Sequence, residues 1–131
     1  VSVYGKWVVQ GSKDPTGRGP LDDATHTAER DNPFCGDRVT VHLRIVDGTI
    51  EAASYDGRAC AICLASAGRL VALLDGRPVA DLADLEAEAG RAVVGEAVDA
   101  TLEHLRDLVH APTRKRCALL PFEAAVAAAS E

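Results

Sequence analysis

The stretch Val39-Thr40-Val41-His42-Leu43-Arg44-Ile45-Val46-Asp47-Gly48-Thr49-Ile50 decides the fold. Val39, Val41, Leu43 and Ile45 alternate with Thr40, His42 and Arg44, a period of two that predicts a strand buried on one face and wet on the other. His42 falls on the wet face and reads as solvated. Asp47-Gly48 predicts a hairpin, because both central residues of a tight primed turn need positive φ. Residues 49–55 are then the antiparallel partner, with Ile50 and Ala52 expected on one face, and Asp56-Gly57 is expected to break it. Residues 24–29 alternate weakly and predict an edge strand. A small antiparallel sheet follows.

Helices are expected on both sides of that sheet in sequence. Residues 1–10 predict a short docking helix anchored by Tyr4 and Trp7, and residues 11–20, with three glycines and two prolines, predict a loop. From Ala61 to Leu74 the residues Cys63, Ala67, Leu70 and Leu74 form one stripe at helical spacing, closed by Asp75-Gly76 as a glycine cap. Residues 78–91 predict a second helix. Residues 98–110 predict a third, with Leu102, Leu105 and Val109 as its apolar face. His104 and His110 read as surface or helix-end residues, with His110 kept as an outside candidate ligand because histidine commonly binds zinc. Pro112 stops this element. Pro121 is costly inside a helix and cheap in its first turn, so the last helix is expected to begin near Leu120 with Cys117 just ahead of it.

Composition narrows the functional classes. The 131 residues suit one domain, 1–131, and are 47% hydrophobic, 26% charged and only 4% aromatic. A formal charge of −6 and the scarcity of aromatics argue against nucleic acid as a partner. No apolar run approaches the roughly 20 residues of a membrane span. No charged-then-apolar leader is visible either, so a cytoplasmic protein is expected. Four cysteines could form two disulfides, but in a reducing compartment separated cysteines beside a carboxylate point to metal or sulfur chemistry.

The chemistry concentrates at three places: Asn32-Pro33-Phe34-Cys35-Gly36-Asp37, Gly57-Arg58-Ala59-Cys60, and Arg114-Lys115-Arg116-Cys117. A cysteine and a carboxylate two positions apart on a glycine-containing turn can face one object. Zinc takes four tetrahedral donors, and Cys35, Asp37, Cys60 and Cys117 would supply three sulfurs and one oxygen. Four ionised donors exceed the charge of a divalent ion, and Arg58, Arg114, Lys115 and Arg116 stand beside them. Basic residues at a helix start oppose the dipole by ~0.3–1 kcal/mol each. Their presence suggests nearby thiolates, with Arg114 the candidate for stabilising one; the competing reading is a solvated basic loop. Asp37, the donor most easily given up for sulfur, reads as a gate, against the plainer reading of a turn residue bonding its own backbone. Cys63 forms a Cys-x-x-Cys pair with Cys60, but its place on the apolar stripe favours a small buried hydrophobe.

These motifs resemble the NifU N-terminal, IscU and SufU group of iron–sulfur cluster assembly proteins. The matches are Asn-Pro-x-Cys-Gly-Asp at 32–37, Gly-x-x-Cys-Ala-Ile at 57–62 followed by Ala65-Ser66, and Arg-x-x-Cys-Ala at 114–118. Tyr4, Lys13, Pro15, Gly19 and Leu21 extend the resemblance across nearly the whole chain. It is most similar to the SufU type, with an extra segment between Cys60 and Cys117 and with Arg116 where the IscU branch usually has histidine. The resemblance implies an α+β fold of the SufE/NifU-like, IscU-like kind: a three-stranded antiparallel sheet packed against several α-helices. It implies a Zn2+ site of Cys35, Asp37, Cys60 and Cys117 whose ligands rearrange on docking. It also implies that Cys35 accepts persulfide sulfur from a SufS-like cysteine desulfurase, with other Suf components or apo-protein cluster acceptors as further partners. The chain departs from the pattern at Ala59 (usually glycine), Cys63 (commonly serine), Gly68-Arg69 and Gly11-Ser12, while keeping all four donors. Two other functions are carried alongside: an IscU-type scaffold building a [2Fe-2S] cluster on the same cysteines, and a binding module with a purely structural zinc.

Overall fold

A computed structural model describes residues 5–130 of the chain; the expected anchor Tyr4 lies outside them. The elements run α1 (Gly5–Lys13), β1 (His26–Asn32), β2 (Asp37–Val46), β3 (Thr49–Arg58), α2 (Ala61–Leu74), α3 (Leu82–Ala92), a 3-10 segment (Glu103–His110) and α4 (Lys115–Ala129). The three strands form one antiparallel sheet in the order β1-β2-β3. The architecture is α+β, with α2 and α4 against the sheet.

The alternation in β2 does what its pattern dictates. Val39, Val41 and Leu43 are completely buried, each burial stabilising the fold by about 1.5–3 kcal/mol, while Thr40, His42 and Arg44 stay partly solvated. His42 bonds Thr27 of the edge strand at 3.0 Å. Asp47 and Gly48 take φ of 50° and 77°, the left-handed pair the hairpin requires. Beyond the turn the ladder slips. Ile45 pairs with Ile50 but Arg44 pairs with Ala52, leaving Glu51 as an extra residue, a β-bulge. The slip corrects the expected facing of β3: Ala53 and Tyr55, opposite Leu43 and Val41, join Ile50 inside, and Ala52 turns outward. Asp56-Gly57 does not break the strand. β3 runs through Gly57 to Arg58 because a residue without Cβ fits against the backbone of Arg38 and Val39.

The helices depart from expectation where backbone periodicity outruns composition. α1 continues to Lys13, through the first part of the expected loop, and buries Trp7 and Val8. α2 buries its whole predicted stripe, and Gly76 at φ 82° caps it. Residues 78–91 divide into a short 3-10 turn (Val79–Asp81) and α3. The third expected α-helix is instead a 3-10 helix over Glu103–His110. Leu102, Leu105 and Leu108 are buried at intervals of three while Val109 is 47% exposed, which is the period of three residues per turn rather than 3.6. α4 begins at Lys115, not near Leu120, with Cys117 inside its first turn and Pro121 within the helix. Pro121 lies in the helix interior, where it has no N–H to donate to the Cys117 carbonyl, and burial of Leu120, Pro121, Phe122 and Ala124 offsets that loss.

His104 also differs from a surface residue. Its ring meets Trp7 edge-on at 4.8 Å, and its Nδ1 is buried without a hydrogen-bond partner among the described residues. Burial, helped by the positive charge of Arg69, lowers its pKa from 6.5 to about 4. The unfolded chain therefore binds a proton that the folded one refuses in that interval. This contribution to stability is complete above pH 6.5 and is lost as the pH falls toward 4. Thermal melts across that range are expected to fall more steeply for the wild type than for His104→Gln; parallel curves would contradict the assignment.

Candidate metal centre

The connection between β1 and β2 is built to present a thiol. Asn32 is 5% exposed, and its Oδ1 accepts the Phe34 N–H at 3.1 Å. Its carbonyl accepts the N–H groups of Cys35 and Gly36 at 3.3 and 2.8 Å. This side-chain-stabilised turn needs a left-handed residue to rejoin the strand, and Gly36 supplies it at φ 76°. The outcome leaves Cys35 exposed at the tip and turns Asp37, the first residue of β2, inward to 4% exposure.

Two helix starts complete the cluster. Cys60 is the N-cap residue of α2, and its main-chain N–H donates to Asp37 Oδ1 at 2.9 Å. Asp37 therefore bonds a residue 23 positions away rather than its own turn. Cys117 is buried in the first turn of α4. Ser66 Oγ of α2 donates to the Ala118 carbonyl of α4 at 2.6 Å, a buried bond that fixes the two helix starts side by side. Cys35 Sγ and Cys117 Sγ are 3.9 Å apart, and these two sulfurs and a carboxylate oxygen of Asp37 all lie within 4.8 Å of one another. Cys60 stands outside that trio, although its thiol is within hydrogen-bonding influence of Asp37 and Cys117. Arg58 ends β3 two residues before Cys60, and Arg114 is the N-cap residue of α4. His110 is exposed at the end of the 3-10 segment and is not part of the trio. Cys63 is fully buried, as its stripe requires.

The electrostatics of this cluster favour a cation. Burial pushes the thiols of Cys60 and Cys117 up, and the charge of Asp37 pushes them further; the Cys63 N–H and the positive end of α2 act against this at Cys60. Meanwhile Asp37 Oδ2 is buried with no hydrogen-bond partner among the described residues, which in a protein interior costs about 1–3 kcal/mol or more for a charged group. A divalent ion would satisfy that oxygen and displace the thiol protons. Three sulfurs with one oxygen suit zinc, and the sulfurs equally suit the irons of a cluster. The chain's donors fit either. The organising roles of Asn32 and Ser66 escaped the sequence reading, although Asn-Pro followed by Gly is a legible turn signal.

A sheet end, a turn and two helix starts that converge on thiols and a carboxylate define a class of thiol- and metal-handling α+β domain. The chain belongs to the NifU-like N terminal domain family, whose sequence model matches residues 3–130. It is 30% identical over 125 residues to the iron-sulfur cluster assembly scaffold protein IscU of Thermotoga maritima, spanning 92% of this chain and 88% of that one. To the zinc-dependent sulfurtransferase SufU of Bacillus subtilis it is 24% identical over 128 residues, spanning 94% and 86%. It is thus a member of the iron–sulfur cluster assembly family that holds IscU and SufU. The fold is shared with a scaffold protein for the SUF system from Fervidobacterium islandicum (TM-score 0.85, 24% identity, 97% and 96% covered). It is shared equally with the N-terminal part of a NifU-like protein from Brucella abortus (TM-score 0.84, 22% identity, 96% and 91% covered). No helix among the described residues is long and apolar enough to cross a membrane.

Proposed function

We propose that this protein is a SufU-type sulfur acceptor: it takes persulfide sulfur from a cysteine desulfurase at Cys35 and carries Zn2+ on Cys35, Asp37, Cys60 and Cys117. One observation carries the reading. A buried carboxylate oxygen without a partner among the described residues lies beside two thiols 3.9 Å apart, and of those thiols only Cys35 reaches the surface. Bound zinc would supply Lewis acidity that keeps thiols ionised near neutral pH.

The chain's own residues perform the rest. Phe34, 94% exposed beside Cys35, leaves the turn open to a macromolecular donor. The Cys35 thiolate attacks the outer sulfur of the donor's persulfide. The donor's S–S bond breaks, its electron pair leaves on the donor cysteine, and a new S–S bond stands on Cys35. Arg114, at the start of α4, supplies positive charge toward the thiolates.

A second reading, a scaffold that assembles a [2Fe-2S] cluster on the same cysteines, is favoured by the name of the 30% identical relative. Protein purified without added metal separates the two: zinc and a colourless solution support the first, iron with acid-labile sulfide the second. In a desulfurase assay Cys35→Ser is expected to lower sulfur release to the level of the desulfurase alone. Full stimulation by that variant would overturn the acceptor role.

A further inference from the structure

Sulfur acceptance leaves Cys63 without a task. It is fully buried one helical turn from Cys60. Cys60 is the N-cap residue and Cys63 the third residue of α2, three positions apart and so on the same side of the helix start. Its thiol also feels the charge of Asp37 and of the other three cysteines. The remaining thiols, Cys35 and Cys117, are 3.9 Å apart. Cys117 also neighbours the Cys60 thiol, but its approach to Cys35 leaves Cys63 to Cys60, and the four cysteines divide into two couples. Each couple joins one accessible thiol, Cys35 exposed or Cys60 half-exposed, to one buried thiol, Cys117 or Cys63.

We propose that these couples form a reversible oxidation store: in the metal-free protein hydroperoxides convert the four thiols into two disulfides, Cys35–Cys117 and Cys60–Cys63. The accessible sulfur attacks the peroxide, the O–O bond breaks, and an alcohol or water leaves with the thiol proton as a sulfenic acid forms. The buried thiol then attacks that sulfur. The S–O bond breaks, hydroxide departs with the second proton as water, and the S–S bond closes. Each couple gives two electrons to one peroxide.

Cys63 is what makes the count even. Without it Cys60 has no partner once Cys35 has taken Cys117, and a sulfenic acid left open climbs to sulfinic and sulfonic acids that thiols do not reduce. The proposal uses the reading of Cys35, Cys60 and Cys117 as donors only for its consequence, which is that the site empties and can be refilled after reduction.

Peptide mapping tests it without any desulfurase. Metal-free protein is treated with hydrogen peroxide, remaining thiols are alkylated, and the protein is cut with trypsin. Residues 59–69 form one tryptic peptide holding both Cys60 and Cys63. It is expected unalkylated and lighter by two hydrogens, while peptides 31–38 and 117–131 are expected joined. Thiol reductant restores all four free thiols. In Cys63→Ser, or in Cys63→Ala if the serine variant does not fold, peptide 59–69 is expected to carry two or three added oxygens on Cys60. Wild-type Cys60 that alkylates fully after oxidation, a Cys60–Cys117 crosslink, or a Cys63 variant that resists overoxidation would each overturn the proposal. None of these outcomes bears on whether Cys35 accepts sulfur.

Discussion

Asp37→Asn protein is expected to melt at the same temperature with and without chelator, whereas the wild type is expected to lose stability when chelator is added to metal-loaded protein. The carboxylate contributes on two sides. Oδ1 holds the Cys60 N–H at 2.9 Å, a bond that an amide oxygen reproduces. Oδ2 is the buried atom without a partner among the described residues, and removing its charge relieves the metal-free fold of about 1–3 kcal/mol. The same change deletes one of four donors. A ligand present at a thousand times its dissociation constant stabilises by about 4 kcal/mol, and most of that gain should vanish in the variant. The expected signature is therefore crossed: Asp37→Asn is at least as stable as the wild type without metal and clearly less stable with it. Metal analysis and paired melts measure it. Equal metal content and equal chelator shifts in the two proteins would remove Asp37 from the site.

Gly57→Ala is expected to be the most damaging single methyl in the chain. A Cβ there would collide with the Arg38 carbonyl oxygen and lie 3.0 Å from the Val39 Cα, both backbone atoms of the neighbouring strand. No rotamer relieves a clash with backbone, so the strands must part. Overpacking of this kind costs about 3 kcal/mol. The displaced segment carries Asp37 on one strand and leads to Cys60 on the other, so metal binding should fall with stability. Gly90, inside α3 with open space around it, is the internal control. Gly90→Ala should stabilise by roughly 0.5–1 kcal/mol through helix propensity alone. Urea midpoints for the two variants are expected to move in opposite directions; a Gly57→Ala midpoint within error of the wild type would show that the strands accommodate the methyl.

The hairpin and the donor motifs were legible because each rests on local rules. Alternation fixes which face of β2 is buried, Asp47-Gly48 fixes the turn, and cysteines beside glycine turns announce a possible centre. What could not be read depends on tertiary company. The leucines at 102, 105 and 108 satisfy either helical period until their burial chooses the tighter one. Pro121 looks like a helix start until the packing of α4 outweighs one lost hydrogen bond. Within the centre, the turn before Asp37 and the helix that follows Cys60 were readable, and Cys35, Asp37 and Cys117 lie within 4.8 Å of one another. The position of Cys60 outside the trio, and the Ser66 bond that holds α2 to α4, are products of helix docking and leave no mark on spacing.

Glu51, the residue left over in the ladder of β3, makes chain length a carrier of information. The bulge lets Ile50 and Tyr55 share the dry face across an odd interval that strict alternation forbids, and losing this one amino acid would restore the alternation with Ala52, Ala53 and Tyr55 still opposite Arg44, Leu43 and Val41. One amino acid more between Glu51 and Tyr55, unless the ladder bulged again, would swap the faces beyond it and offer Tyr55 to water. Related chains are therefore expected to tolerate loss of the extra residue without moving their large ring, and to resist an insertion beside it.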